Sequence, residues 1–212
     1  MTQKNSQQLQ KTVALLIKSL SPRNRDIIIR RFGLNTGEKE TLESIGKNYS
    51  ITRERVRQIQ DFALEQLVSL AAVSREVRRH VAVAKAVLER EGGIMKERDL
   101  FRALTGKPDE SAANASLAFL LTLSGELSKF HENDHLHAVW AVNQEKLETF
   151  RGAVTLLIDA LENHGKPMQA GHVCVLANES KIKLGNGAAV NEKHLNAVLA
   201  VSKDLGKNIF SE

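Results

Sequence analysis

TLESIGKNYSITRERVRQI, residues 41–59, decides how the first part of this 212-residue chain folds. Apolar residues at Ile45, Ile51, Val56 and Ile59 fall where two crossed helices must bury side chains against each other. Gly46 sits at their closest approach, where a larger side chain would push the helices apart. The turn between them is short, and Thr52 supplies an N-cap for the second helix. That helix then presents Arg53, Glu54, Arg57 and Gln58, whose spacing of three and four places them on one face. A charged helical face is most often simply solvated. Here the short turn, the cap and the mutually consistent apolar positions point instead to a helix-turn-helix with a polar reading face. Arginine can donate two bonds to guanine, glutamine can pair with adenine, and glutamate can accept from the cytosine amine.

Working outward, Ser21-Pro22 marks a helix start and Phe32-Gly33 its end, with glycine as the left-handed cap. Asn35 to Glu40 is a polar turn, Thr41 caps the next helix, and the reading helix 52–68 runs on to about Leu70. Before this domain (21–70), residues 1–20 form an amphipathic helix with Leu9, Val13, Leu16, Ile17 and Leu20 on one stripe. After it, residues 71–80 end in SREVRRH, a basic connector or the start of a further helix. Net charge follows the same division, +7 over residues 1–80 and −2 over the remainder. The basic excess therefore coincides with the helix-turn-helix, as a phosphate-facing domain requires.

Leu20 to Leu67 resembles region four of the primary bacterial sigma factor family. The match is carried by LSPRNRDIIIRRFGL, then TLESIGKNYSITRERVRQI, then Ala63, Leu64 and Leu67. The resemblance implies that Arg53, Glu54, Arg57 and Gln58 read bases of an upstream, minus thirty-five-like promoter element. It implies phosphate contacts for Arg23, Arg31 and Thr41, joined by Thr52 and Arg55 at the start of the reading helix. It further implies that an apolar surface around Ile27, Ile28 and Ile29 docks on RNA polymerase. The departures are specific. About 20 residues precede the segment, so the family's promoter-melting regions have no counterpart, and no aromatic-rich helix suited to unpaired bases appears. Where the family is basic after the reading helix, this chain has Gln60, Asp61, Phe62, Glu65 and Gln66. The chain is expected not to initiate transcription alone.

From about Val81 an internal repeat begins. VLEREGGIMKERDLFRAL (87–104) is answered 73 residues later by ALENHGKPMQAGHVCVLA (160–177), each passing from a helix through glycine to methionine, Met95 or Met168, and into another helix. SLAFLLTLSGELSKF is answered by HLNAVLAVSKDLGKNIF, matching Leu117, Leu120, Ser124 and Leu127 with Leu195, Val198, Ser202 and Leu205. The first copy continues through HENDHLHAVWAV, a hairpin with an Asn-Asp turn. This pattern resembles HARE-type winged helix-turn-helix domains, a first at 81–143 and a second at 150–212 whose wing is incomplete. The third helix of each copy is apolar and poor in cations, which favours a protein partner over DNA for these modules.

Other chemistry is thinly represented. His131, Glu132, Asp134, His135 and His137 could hold zinc only in a particular bent geometry, and on a wing hairpin such residues are ordinary. In a strand, His135 and His137 share a face and Leu136 points inward. Cys174, the single cysteine, lies in the apolar run HVCVLA and reads as a small hydrophobe; one cysteine allows no internal disulfide and suits a reducing cytoplasm. Trp140 reads as core beneath the wing. No phosphate loop, metal site, cofactor site or catalytic constellation stands out, and neither a membrane span nor a signal peptide is expected.

These readings combine into a mainly α chain: a sigma region four-like helix-turn-helix followed by two winged-helix modules with small β-hairpin wings. The expected function is that of a non-enzymatic, cytoplasmic, nucleoid-associated transcription factor with double-stranded promoter DNA and RNA polymerase core as partners. A polymerase-associated interaction protein and a polymerase-independent repressor remain the alternatives.

Overall fold

The computed structural model describes residues 2–164, 168–179 and 192–203. It is mainly helical, with elements in the order α1 (Thr2–Ile17), α2 (Pro22–Phe32), α3 (Leu42–Tyr49), α4 (Arg53–Val73), α5 (Arg75–Arg90), β1 (Ile94–Lys96), α6 (Glu97–Thr105), α7 (Ala112–Ser124), β2 (Ser128–Phe130), β3 (Val139–Ala141), α8 (Gln144–His164), α9 (Ala170–Glu179) and α10 (Glu192–Val201). Two compact units emerge, and neither is one continuous stretch. The first comprises Met1–Ala84 with Phe101–Glu126, the second Lys85–Leu100 with Leu127–Glu212. No described helix is long and apolar enough to cross a membrane.

In the first unit, α1 begins earlier than its apolar stripe and stops at Ile17. Arg25 of α2 donates to the carbonyls of Ile17, Lys18 and Leu20 at 2.9–3.0 Å, satisfying acceptors that the ended helix leaves open. Leu9, Val13, Leu16, Ile17 and Leu20 are all buried, each contributing roughly 1.5–3 kcal/mol. Helix α1 packs on α7 and α4. Helix α7 is buried around most of its circumference, including Leu117, Phe119, Leu120, Leu121 and Leu123, and Phe119 meets Phe32 with ring centroids 4.8 Å apart. Its apolar sequence is thus a core helix. Residues 71–80 are helical on both sides of Ser74, as the end of α4 and the start of α5.

In the second unit, a three-stranded antiparallel sheet runs β1-β3-β2, with Met95 and Lys129 both opposite Trp140. Of the expected hairpin HENDHLHAVWAV, only VWA forms a strand, β3, and its partner β2 precedes the stretch. Residues 131–138 form the connection, turned by the Asn133 side chain, which accepts from the backbone N–H groups of His135 and Leu136. His135 and His137 are therefore not strand neighbours, as alternation suggests, although Leu136 is buried as expected. The side-chain bond at Asn133 offers the backbone an alternative to the ladder. Helices α8, α9 and α10 pack with the sheet over a core that includes Leu147, Phe150, Val173, Leu195 and Val198. Trp140 is buried, and its indole donates to Glu97 at 2.8 Å. Lys129 pairs with the same carboxylate and stands over the Trp140 ring. The proposed counterpart at Leu205 lies outside the described residues.

Candidate nucleic-acid interface

Helices α3 and α4 cross over a small core. Ile27, Ile45 and Val56 are fully buried, with Leu42, Tyr49, Ile51 and Ile59 packed around them. Gly46 has no room for a side chain: a Cβ there would lie 2.7 Å from the Ile51 carbonyl oxygen. That carbonyl belongs to the turn, which also closes through a bond from Ile51 N–H to the Gly46 carbonyl at 3.0 Å. Thr41 and Thr52 cap the two helices, their hydroxyls accepting from Ser44 N–H and Arg55 N–H at 3.1 Å. Ser50 takes the left-handed conformation that lets the chain reverse in so few residues.

The first turns of α4 then project into solvent. Arg53, Glu54, Arg55, Arg57 and Gln58 are all exposed, while Val56 faces the core and Ile59 is half-buried. Arg53 makes no hydrogen bond or ion pair among the described residues. Arg57 is more committed. Its Nε and Nη2 donate to both oxygens of Glu54 at 2.9 and 2.7 Å, and its Nη1 donates to Asp61 at 2.7 Å. The Arg57 hydrogen bond holds the Glu54 carboxyl below the ordinary carboxylate range, and Glu54 raises the Arg57 pKa in return. Arg55 donates to the Gln58 side-chain carbonyl at 3.1 Å. The four expected base readers thus share one open ridge, where two of them neutralise each other.

The expected phosphate contacts separate into open and occupied groups. Arg23 is exposed, with its guanidinium 5.2 Å from the Tyr49 ring centroid. Thr41, Thr52 and Arg55 are also exposed. Arg31 is half-buried and donates to Gln60 of α4 at 3.1 Å and to the Glu40 carbonyl at 2.9 Å. It ties α2 to α4, so only a part of its donor set faces outward. Ile27 and Ile28 need correcting. Both have 0% exposure, and Ile27 is the contact of α2 with Ile45 and Val56. Only Ile29 of that trio is partly exposed, so the three isoleucines do not form an apolar docking surface. Three consecutive isoleucines on one helix cannot share a face, and two of these point inward.

Several supporting residues escape a motif reading. Glu40 takes a bidentate pair from Arg30 at 2.7–2.8 Å, which lowers its pKa, and so fixes the entry to α3. Tyr49 donates to Asp26 at 2.7 Å, a bond that raises the phenol pKa. Asp61 is the partner closest to the ridge, and its spacing of four from Arg57 is a signal available in the sequence.

Comparison with known proteins agrees with this geometry. Residues 16–68 match the family described as sigma-70, region 4. The chain is 51% identical over 59 residues to RNA polymerase sigma factor RpoS of Coxiella burnetii, covering 28% of this chain and 17% of that protein. It is 46% identical over 59 residues to RNA polymerase sigma factor SigA of a Nostoc species, covering 28% and 15%. Against SigA of Clostridium acetobutylicum the figures are 41% over 59 residues, covering 28% and 16%. The chain thus spans less than a fifth of the length of these relatives. Within that span the conclusion is direct: residues 16–68 carry a sigma-70 region 4 domain, and the domains of that family bind DNA and are not enzymes.

Proposed function

We propose that this chain is a sequence-specific DNA-binding transcription factor that reads a promoter element of the minus thirty-five type through α4. The observation that carries the reading is the open ridge of Arg53, Glu54, Arg57 and Gln58 on a helix whose opposite side is fixed by Val56 and Ile59. Such a helix enters the major groove with its first turns against base edges. Arg23, Thr41, Thr52 and Arg55, all exposed, would hold the backbone, in keeping with the positive charge of residues 1–80. RNA polymerase is the proposed protein partner, by analogy with the relatives named as its sigma factors. With Ile27 and Ile28 buried, that contact would use another surface. The protein would act in the cytoplasm at the nucleoid.

The remainder of the chain is proposed to form two winged-helix modules, 81–143 and 150–212, that recruit a protein partner through a surface other than α7, which is buried on α1 and α4. The order helix, strand, helix, helix, strand, strand from α5 to β3, with the sheet arranged β1-β3-β2, supports the first. The three helices α8, α9 and α10 support the second. A second reading, an interaction protein in which DNA contact is incidental, draws on the engagement of Arg57 by Glu54 and Asp61.

Selection of bound duplexes from a random pool tests the choice. An enriched upstream-promoter-like hexamer is the expected result. A pool without enrichment, beside capture of core polymerase that survives nuclease treatment, would overturn the DNA-reading proposal in favour of the second reading.

A further inference from the structure

Among the described residues the chain has eight aromatic side chains, and seven are buried or half-buried. The exception is Phe62, 56% exposed in the third turn of α4. It adds nothing to the core of that helix, which consists of Val56, Ala63, Leu67 and Ala71. Its position is specific. Phe62 follows Gln58 by four residues and Glu54 by eight, so the three share one flank of the helix. It lies about 13 Å along the axis from Arg53, comparable with the roughly 12 Å width of the major groove.

We infer that Phe62 is a further specificity-determining residue, which packs its ring on the 5-methyl group of a thymine next to the base read by Gln58. The inference rests on the proposed DNA-reading role of α4. A thymine presents one apolar group in the major groove, and an exposed phenyl ring is a chemical match for it. The ring has no hydrogen-bonding atom, so no other base edge offers it a partner. One turn away lie Gln58, Glu65 and Gln66 on the open side and Ile59, half-buried against the core, on the other, so the ring stands at the edge between the core and the exposed flank.

The test uses the full chain and the duplex selected from a random pool, with each thymine replaced singly by deoxyuridine. Deoxyuridine lacks only the methyl group. The wild-type protein should lose affinity about four-fold at one position, the value of one buried methyl. Phe62→Ala should bind the thymine duplex with about that loss and make no distinction between thymine and deoxyuridine there. Phe62→Leu, which keeps an apolar side chain, should retain part of the distinction. Sequence-specific binding that is indifferent to deoxyuridine at every position would overturn the role of Phe62 while leaving the reading of α4 intact. Absence of any sequence preference would overturn both. A methyl effect that persists undiminished in Phe62→Ala assigns the contact to another side chain and also sinks the inference.

Discussion

Arg57 Nη1 lies 2.7 Å from Asp61 Oδ2, so the central arginine of the reading helix is held by a carboxylate one turn further on. Together with Glu54, Asp61 occupies three of the five N–H donors that Arg57 could offer to a base. Exposed pairs of this kind are weak and screened by salt, so DNA can displace them. Removing Asp61 frees donors and takes a negative charge away from the phosphates. Asp61→Asn should tighten specific binding by about two- to five-fold at low salt. Titration of labelled duplex reads this out. Unchanged or weaker binding would place Asp61 outside the interface.

Arg57→Ala and Arg23→Ala should fail in different ways. The first should lower affinity for the selected site by about 5- to 150-fold and relax preference at one position. The second should weaken binding to all sequences alike and flatten the salt dependence by roughly one counterion. Equal losses on specific and random duplexes for both variants would refute the division of roles.

Gly46→Ala introduces a carbon 2.7 Å from the Ile51 carbonyl, a backbone atom that cannot swing aside. The variant should be destabilised by about 1–3 kcal/mol, measured as a lower urea midpoint with unchanged slope. A midpoint equal to that of the wild type would show that the α3–α4 crossing is looser than the structure has it.

His80 is buried between α1 and α5, with Nε2 3.3 Å from the Thr12 hydroxyl. Burial depresses its pKa, outweighing the attraction of Glu76, with Arg79 adding to the depression. The unfolded chain therefore takes up the proton at a higher pH than the folded one. The contribution of neutral His80 is fully present above the ordinary value of 6.5 and is lost as pH falls through that value toward the folded one. The urea midpoint should drop between pH 7.5 and 5 by more in the wild type than in His80→Gln. An equal drop in both proteins would remove His80 as the cause.

Glu97 accepts from Trp140 and pairs with Lys129 in a site where its side chain is 20% exposed. Glu97→Ala leaves an indole N–H and an ammonium without their acceptor and should cost about 2–4 kcal/mol. Trp140 is the sole tryptophan, so its fluorescence reports on this unit. Unfolding traces that superimpose on those of the wild type would show the network to be dispensable.

The helix-turn-helix was legible because its signals are local. A cap such as Thr52 or Thr41, a glycine such as Gly46 and a stripe such as Leu9 to Leu20 act within a few residues of themselves. Exposure of Arg53, Glu54, Arg57 and Gln58 followed from the same periodicity. What sequence reading missed depends on contacts distant in the chain. Ile27 and Ile28 read as a surface by resemblance, yet α3 and α4 supply the side chains that enclose them. Glu97 gives no hint of its role until β1 and β3 bring it beside Trp140. Only one strand of the hairpin, Val139–Ala141, lies within HENDHLHAVWAV, and its partner Ser128–Phe130 precedes that stretch, because Asn133 turns the chain with its own side chain.

The packing of α7 on α1 and α4 has a consequence for biosynthesis. The last wall of the amino-terminal core is encoded some forty residues after the reading helix ends. On the ribosome, the stripe from Leu9 to Leu20 has only α4 to pack on until about Ser124 has emerged. A truncated product ending near residue 84 would keep every side chain proposed to face DNA and still be prone to clump, because it lacks the helix that shields its greasy flank.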